Sequence, residues 1–379
     1  CMLCDATTEK LLPVIDAAAE AGAEYFCIDA GWYSKKDWWG EVGEWVPNPD
    51  RFPNGIIEVM NYIREKGLKA GIWLEPEVVA IHSPMAKKFS DDCFFLRHGK
   101  RIIDHGRYQL DFRNKKVTDY LSSVVDRFVN EFGIGYLKLD YNIEAGIGTE
   151  LNADSFGDGL LMHSRAYIQW VKDIMDKYPD LIIENCASGG MRMNYELLSL
   201  HSIQSVSDQE DYRLNAVISA AAATGLTPEQ AAFWVYPSAD ADENEIVYNM
   251  VNALLSRMHL SGAISKFSPE RMALVKEAIE YYKKIRCDIP QFIPFYPLGL
   301  PSFYDNWLCV GYRCENKAYL AVWRRQSDAD NIVLPLDFKV KHATVAYPTT
   351  LNNNEVEVID NGLKAILKDE NSAMIIELL

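Results

Sequence analysis

Two rhythms of apolar and polar positions alternate along most of this chain. Short apolar runs recur from the start to about residue 285, and between them lie stretches with apolar residues at i, i+3 and i+4. The first rhythm marks buried strands and the second marks helices with one face on a core. The strand candidates are Tyr25 to Asp29, Ala70 to Leu74, Tyr108 to Phe112, Tyr136 to Asp140, Leu181 to Cys186, Ile203 to Ser207, Ala232 to Tyr236 and Gly262 to Ser265. Helical periodicity is clearest over Thr8 to Ala21, Ile56 to Lys66, Thr118 to Phe132, Leu161 to Lys177, Glu243 to Met258 and Pro269 to Ile285, with Gly22, Gly67 and Gly133 where C-caps belong. Eight strands, each followed by a helix or loop, predict a closed barrel rather than an open doubly wound sheet. After Pro290 the pattern changes to Pro, aromatic and turn residues, then to β-rich runs at Trp307 to Tyr312, Ala318 to Trp323 and Ala373 to Leu378. The expected fold class is α/β: a (β/α)8 TIM barrel over residues 1–290, then a small antiparallel β-sandwich domain over residues 291–379.

Composition narrows the partners. The 379 residues are 49% hydrophobic and 24% charged, enough for one large barrel and a smaller domain. A formal net charge of -16, without a strong Lys/Arg cluster, argues against nucleic acid or an anionic membrane surface and favours a neutral substrate. No run of 18 apolar residues and no charged-then-apolar leader occurs, so no membrane span is expected. The eight cysteines, at positions 1, 4, 27, 93, 186, 287, 309 and 314, form no secreted framework, which points to a reducing, cytoplasmic compartment. Cys1-x-x-Cys4 has the spacing of half a zinc site or a redox pair, but no second Cys/His pair follows. No metal and no cofactor is expected.

Barrel enzymes place their chemistry at the C-terminal ends of the strands. Those ends are acidic here: Asp29, Glu75 and Glu77, Asp140, Glu184, and Asp208 with Asp211 just beyond. Any one of them alone could be a helix cap or an ion-pair partner. In Tyr136 to Asn142, Lys138, Asp140 and Asn142 share one face by the period of two, and a flanking cation keeps a carboxylate ionised, as a nucleophile requires. In Ser207 to Asp211 the crowding of carboxylates should raise at least one pKa and hold a proton for general-acid work. A nucleophile and an acid/base whose carboxyl groups stand about 5 to 5.5 Å apart are what retaining glycoside hydrolysis needs. Trp32, Trp38, Trp39, Trp45 and Trp73 crowd the first two βα loops, and Trp faces stack on sugar C–H faces.

At these residues the chain resembles glycoside hydrolase family 36, the bacterial α-galactosidases, over essentially its whole length. The stretches that carry the resemblance are Phe26 to Trp32, Gly43 to Trp45 with Arg51 to Pro53, Gly71 to Glu77, Gly106 to Asp111, Lys138 to Asn142, Glu184 to Gly190, and Ser207-Asp208. The resemblance implies a retaining α-galactosidase that removes terminal α-linked galactose from oligosaccharides, with Asp140 as nucleophile and Asp208 as acid/base. It implies Asp29 as the acceptor for the galactose 4- and 6-hydroxyls, an aromatic wall at Trp73, and Trp32 among the substrate-binding residues. It further implies hydroxyl donors at Arg107 and Lys138, Asn142 beside the nucleophile, and Cys186, Ser188 and Gly189 near the 2-hydroxyl. An oligosaccharide is the expected partner, and a homo-oligomer the expected state of the full-length protein. The family also carries a β-sandwich domain ahead of the barrel, which implies that such a domain lies outside this chain.

One departure bears on specificity. Family members show Asp-Asp-Gly-Trp after the first strand, and here the second position is Ala30. Loss of that carboxylate leaves the 4/6-hydroxyl clamp short by about 1–3 kcal/mol, so an α-N-acetylgalactosaminide or another modified galactoside is an alternative substrate. Two further readings stay open on the residues alone. One is a metal-dependent barrel enzyme using Asp140, Glu184 and Asp208 as ligands, and the other is a non-catalytic sugar-binding relative. His82, His105, His163 and His201 read as loop or core histidines, since the mechanism needs no imidazole.

Overall fold

The computed structural model describes residues 4–351 and 354–379, so Cys1 of the Cys-x-x-Cys spacing lies outside the described residues. Two compact units divide the chain, one over Glu24–Ile203 with the stretch up to Ala19, the other over Gln204–Leu379 with Glu20–Ala23. In the first unit β1 (Tyr25–Ile28), β2 (Lys69–Leu74), β3 (Tyr136–Leu139) and β4 (Ile182–Asn185) pair in parallel in that order. Apart from Lys69, every residue of β2 and β3 is buried. Parallel strands are covered on both faces, which is why they read as continuous apolar runs.

The helices between them follow the expected pattern. Ile56–Glu65 buries Ile56, Val59, Met60 and Ile63, one stripe at helical spacing. Lys115–Arg127 is capped by the Asn114 side chain, which accepts from the Lys116 N–H. The helical run that follows it ends at Gly133 in the left-handed conformation (φ 69), its N–H returned to the Phe128 carbonyl. A residue with a Cβ is disfavoured there, so glycine marks the stop.

The strand expected over Tyr108 to Phe112 is a correction. Arg107–Gln109 instead pairs antiparallel with Ile103–Asp104 and with Val78–Ala80. The two residues joining the hairpin, His105 and Gly106, both have positive φ (46 and 81), the signature of a tight turn that folds a strand back on its neighbour. The parallel strands among the described residues therefore number seven, not eight.

In the second unit Gln204 and Ser205 of β5 (Ile203–Ser205), β6 (Ala231–Val235) and β7 (Arg257–Leu260) pair in parallel. Here too boundaries move: the last strand lies at Arg257–Leu260 instead of Gly262 to Ser265, and the helix expected to reach Met258 stops at Leu254. That helix is buried at every residue from Ile246 to Leu254, so its apolar pattern runs on into the strand without a break. Periodicity alone cannot divide such a segment. Asn252 on this helix accepts a hydrogen bond from the Trp323 indole N–H at 2.9 Å.

Beyond the barrel strands the same unit carries two antiparallel sheets. One has the order Ile293–Phe295, Trp307–Cys314, Lys317–Arg324, Ser372–Leu378, Ala343–Tyr347, and the other the order Asn331–Pro335, Gly362–Leu367, Asn354–Ile359. Leu320, Val322, Leu334, Leu363, Leu367, Met374 and Ile376 meet in a shared core, the inner faces of a sandwich. Among the described residues no helix is long and apolar enough to cross a membrane.

Candidate active site

Strand register assembles the site from residues far apart in the chain. Ile28 pairs with Ile72, so Asp29 leaves β1 beside Trp73; Trp73 pairs with Lys138, and Lys138 with Glu184. Asp140 follows β3 on the face of Lys138, its N–H held by the Leu74 carbonyl at 2.9 Å. The turn after Asp29 depends on Gly31, which has φ +97 and whose added Cβ would lie 1.9 Å from the Cys4 carbonyl oxygen. The chain can therefore leave β1 this way only with glycine there.

Asp140 is 8% exposed and accepts from donors on both oxygens. Its Oδ2 accepts from the Trp73 indole N–H at 3.0 Å, and its Oδ1 from the N–H groups of Tyr141 (2.8 Å) and Ser188 (3.3 Å). Burial pushes its pKa up, but the Lys138 charge and hydrogen bonds from Asn142, Trp73 and Tyr141 outweigh burial and hold the carboxyl below its ordinary value. Donors to a carboxylate contribute about 1.5–3 kcal/mol each, so the anion is the state this site is built around. Lys138 is itself buried, with Nζ 2.9 Å from Asp29 Oδ2. Burial works against its charge, yet Asp29, Cys186, Glu184 and Asp140 keep its pKa well above the usual lysine value.

Two neighbouring carboxyls behave in the opposite way. Glu75 is fully buried and its pKa is pushed up to about 7 by burial, which Arg107 only partly offsets. It accepts from Arg107 Nη1 through both oxygens (3.0 and 2.9 Å) and from the Asn142 N–H at 2.7 Å. Glu184 is likewise pushed up to about 7 by burial, against the pull of Lys138 and of the Tyr136 hydroxyl that donates to it. Arg107 is fully buried, donates also to the Asn142 carbonyl, and lies under Trp39, 3.4 Å from the ring centroid.

The wall after β4 closes on this group. The Cys186 N–H donates to the Leu139 carbonyl at 2.8 Å. Ser188 and Gly189 both take positive φ (44 and 79), and the Ser188 hydroxyl donates to Asn142 Oδ1. A non-glycine residue held left-handed at a site is strain that the surrounding bonds must maintain. Asp29 is about half exposed at the mouth, its Oδ1 accepting from the Ala30 N–H at 2.7 Å, while Ala30 is buried. Trp32 lies beneath, fully buried, its indole N–H donating to the Trp73 carbonyl at 3.1 Å. A cavity of about 420 Å³ opens beside these groups, lined by Trp39, Asp104, His105, Tyr141, Asn142, Ser188, Met191 and Arg192 among others.

Residues 1–290 match the Melibiase family. This chain belongs to that family. Among curated melibiase relatives, α-galactosidase Mel36A of Lactobacillus acidophilus is 26% identical over 335 residues, covering 84% of this chain and 44% of that protein. α-Galactosidase AgaA of Geobacillus stearothermophilus is 26% identical over 346 residues, covering 86% of this chain and 46% of that protein. The chain thus spans about half the length of the curated relatives it matches. The solved structure of an AgaA variant with 1-deoxygalactonojirimycin superposes with a TM-score of 0.84 at 20% identity, covering 99% of this chain and 53% of that one. The galactosidase domain of the α-galactosidase–sucrose kinase AgaSK gives 0.80 at 20% identity, covering 98% and 52%. The shared fold is a TIM-like barrel followed by antiparallel β sheets.

Within this melibiase chain the first unit gathers Asp29, Trp32, Trp73, Arg107, Lys138, Asp140, Asn142, Cys186, Ser188 and Gly189. Asp208 belongs to the second unit, in the loop after β5, where its side chain is exposed. Asp211 caps the helix Tyr212–Ala221, accepting from the Arg213 and Leu214 N–H groups, and the Arg213 guanidinium hydrogen-bonded to it lowers its pKa. Within the first unit the carboxyls raised by burial are Glu75 and Glu184. Among the described residues no three His, Cys, Asp or Glu side chains are grouped to hold a metal ion. Glu77, named among the strand-end acids but given no role from the sequence, is buried against His163 Nε2 (2.8 Å) and Arg192 Nη1 (2.6 Å).

Proposed function

We propose that this chain is the catalytic part of a retaining α-galactosidase, with its barrel over residues 1–290 and the β domain over 291–379. The observation that carries the reading is Asp140: buried, near the Lys138 charge, bonded by three donors and so held ionised at the end of a barrel strand. A carboxylate in that state is a nucleophile in waiting. In the first step Asp140 attacks the anomeric carbon as the bond to the leaving oxygen breaks, and Asp208 gives that oxygen its proton. In the second, Asp208 takes a proton from water, which attacks the glycosyl–Asp140 ester and releases galactose with its configuration retained. Asp29, tied to Lys138, accepts from sugar hydroxyls at the mouth. Trp73 supplies both an aromatic wall and a donor to the nucleophile.

Oligosaccharides with terminal α-galactose are the proposed substrates. Variants of AgaA have been solved with raffinose and with stachyose, which supports an oligosaccharide substrate. Ala30 favours a second reading, an N-acetylgalactosaminide or other modified galactoside, because one hydroxyl-binding carboxylate of the family motif is absent. The test is hydrolysis of 4-nitrophenyl α-galactoside and α-N-acetylgalactosaminide by the chain and by Asp140→Ala with added azide. Formation of a β-glycosyl azide by the variant supports Asp140 as nucleophile, and the preferred sugar decides between the substrates. Cleavage of neither, with the protein folded, would sink both.

A further inference from the structure

We propose that Arg192 is a positioning residue for Asp140 and acts through the ring of Tyr141; the proposal deepens the nucleophile reading above and rests on it. The bond from the Tyr141 N–H to Asp140 Oδ1 (2.8 Å) joins adjacent residues, so it forms only while the backbone between them keeps one conformation. Two anchors hold that conformation. On one side the next amide, Asn142 N–H, is fixed on Glu75 at 2.7 Å. On the other the Arg192 guanidinium lies over the Tyr141 ring, 3.9 Å from its centroid, a cation–π contact that pins the side chain and hence the rotation of the peptide.

Arg192 is itself oriented from behind. Its Nη1 donates to Glu77 Oε1 at 2.6 Å. The other Glu77 oxygen is taken by His163 Nε2 at 2.8 Å, while His163 Nδ1 accepts from the Phe112 N–H at 3.1 Å, so the imidazole presents its Nε2 hydrogen to Glu77. The Arg192 carbonyl accepts from the Asn185 side-chain amide at 3.0 Å, tying the loop to the end of β4. Glu77, His163 and Arg192 are thus a relay of fixed partners. It begins in buried structure and ends on the residue after the nucleophile. None of its members needs to touch the sugar for it to matter.

Hydrolysis of 4-nitrophenyl α-galactoside by Arg192→Gln, Tyr141→Leu and the double variant tests this. Displacing a reacting group by about an ångström costs on the order of 10²-fold, so each single variant should lose kcat by up to that factor with KM little changed. The double variant should lose no more than the worse single, because both changes remove the same restraint. A double loss equal to the product of the singles, or a loss confined to KM, overturns the proposal in favour of direct sugar contact. Arg192→Lys keeps a cation for Glu77 but not the planar stack; it should fall between wild type and Arg192→Gln, and it carries the comparison where Arg192→Gln does not fold. A second readout needs no catalysis: the Asp140 carboxyl, followed by carbon NMR titration, should shift upward in Arg192→Gln as its N–H donor is loosened, and an unchanged titration overturns the proposal. Should the wild-type chain cleave no α-glycoside, the nucleophile reading fails while the titration still decides the positioning.

Discussion

The ends of β3 and β5 each carry an aspartate assigned to chemistry, and they are built on opposite plans. Asp140 is buried, with donors on both oxygens and Lys138 on its own strand. Asp208 is exposed in a loop where a neighbouring carboxylate, Asp211, is spent on capping a helix. The contrast suits two different tasks. A nucleophile must stay ionised and aimed, which rigid surroundings and a cation secure. An acid/base must exchange its proton with a leaving group and then with water, which exposure permits.

The largest effect should come from the buried partner: Asp140→Ala is expected to lower kcat by about 10⁴-fold or more, measured on an aryl α-galactoside, and a mild loss would break the contrast outright. Asp208→Asn should cost about 10²–10⁴-fold, and the cost should shrink when the leaving group is as acidic as 2,4-dinitrophenol, which departs without a proton. Equal losses on both leaving groups would remove Asp208 from the acid/base role. Trp73→Phe keeps the ring but removes the donor to Asp140; a drop in kcat/KM of about 10- to 100-fold is expected from a hydrogen bond to a charged group. Because that donor helps hold the Asp140 pKa down, the acid limb of the rate profile should also move to higher pH. The gentlest probe is Asp211→Ala, which should lower unfolding stability by about 1 kcal/mol through loss of the cap, read by thermal melting, with turnover retained.

A pH test of stability separates Asp140 from the carboxyls beside it. For Asp140 the folded pKa is depressed, so its contribution is present above the unfolded value and is lost as pH falls through the folded one. For Glu184, raised from 4.5 to about 7, the folded state binds more protons than the unfolded across that window, so stability falls as pH rises through it. Glu184→Gln should therefore make the decline in melting temperature from about pH 4.5 to 7 shallower than in wild type. A decline of the same slope would mean that Glu184 titrates elsewhere.

Much of this could be read from the residues alone, and the reasons are local. Thr8–Ala21 and Pro269–Ile285 are found at the boundaries their periodicity implied, because helix stripes, caps and stops are written within a few residues of each other. The strand ends carrying Asp29, Asp140 and Glu184 were legible because buried parallel strands are unbroken apolar runs that stop at a polar residue. Tyr108 to Phe112 misled for the same reason: a short mixed run says nothing of whether its partner is parallel or antiparallel, and the turn at His105-Gly106 made that choice.

The sequence by itself determined the alternation of strands and helices, the change of character near residue 290, and the row of acids at the strand ends. Only the tertiary structure decided what each acid does. Burial without enough compensation raised Glu75 and Glu184, a lysine two residues away and donors up to 67 residues away lowered Asp140, and the Arg213 guanidinium lowered Asp211. A carboxyl's charge state follows from solvent access and from partners brought near by folding, and neither quantity is carried by the residue's place in the chain.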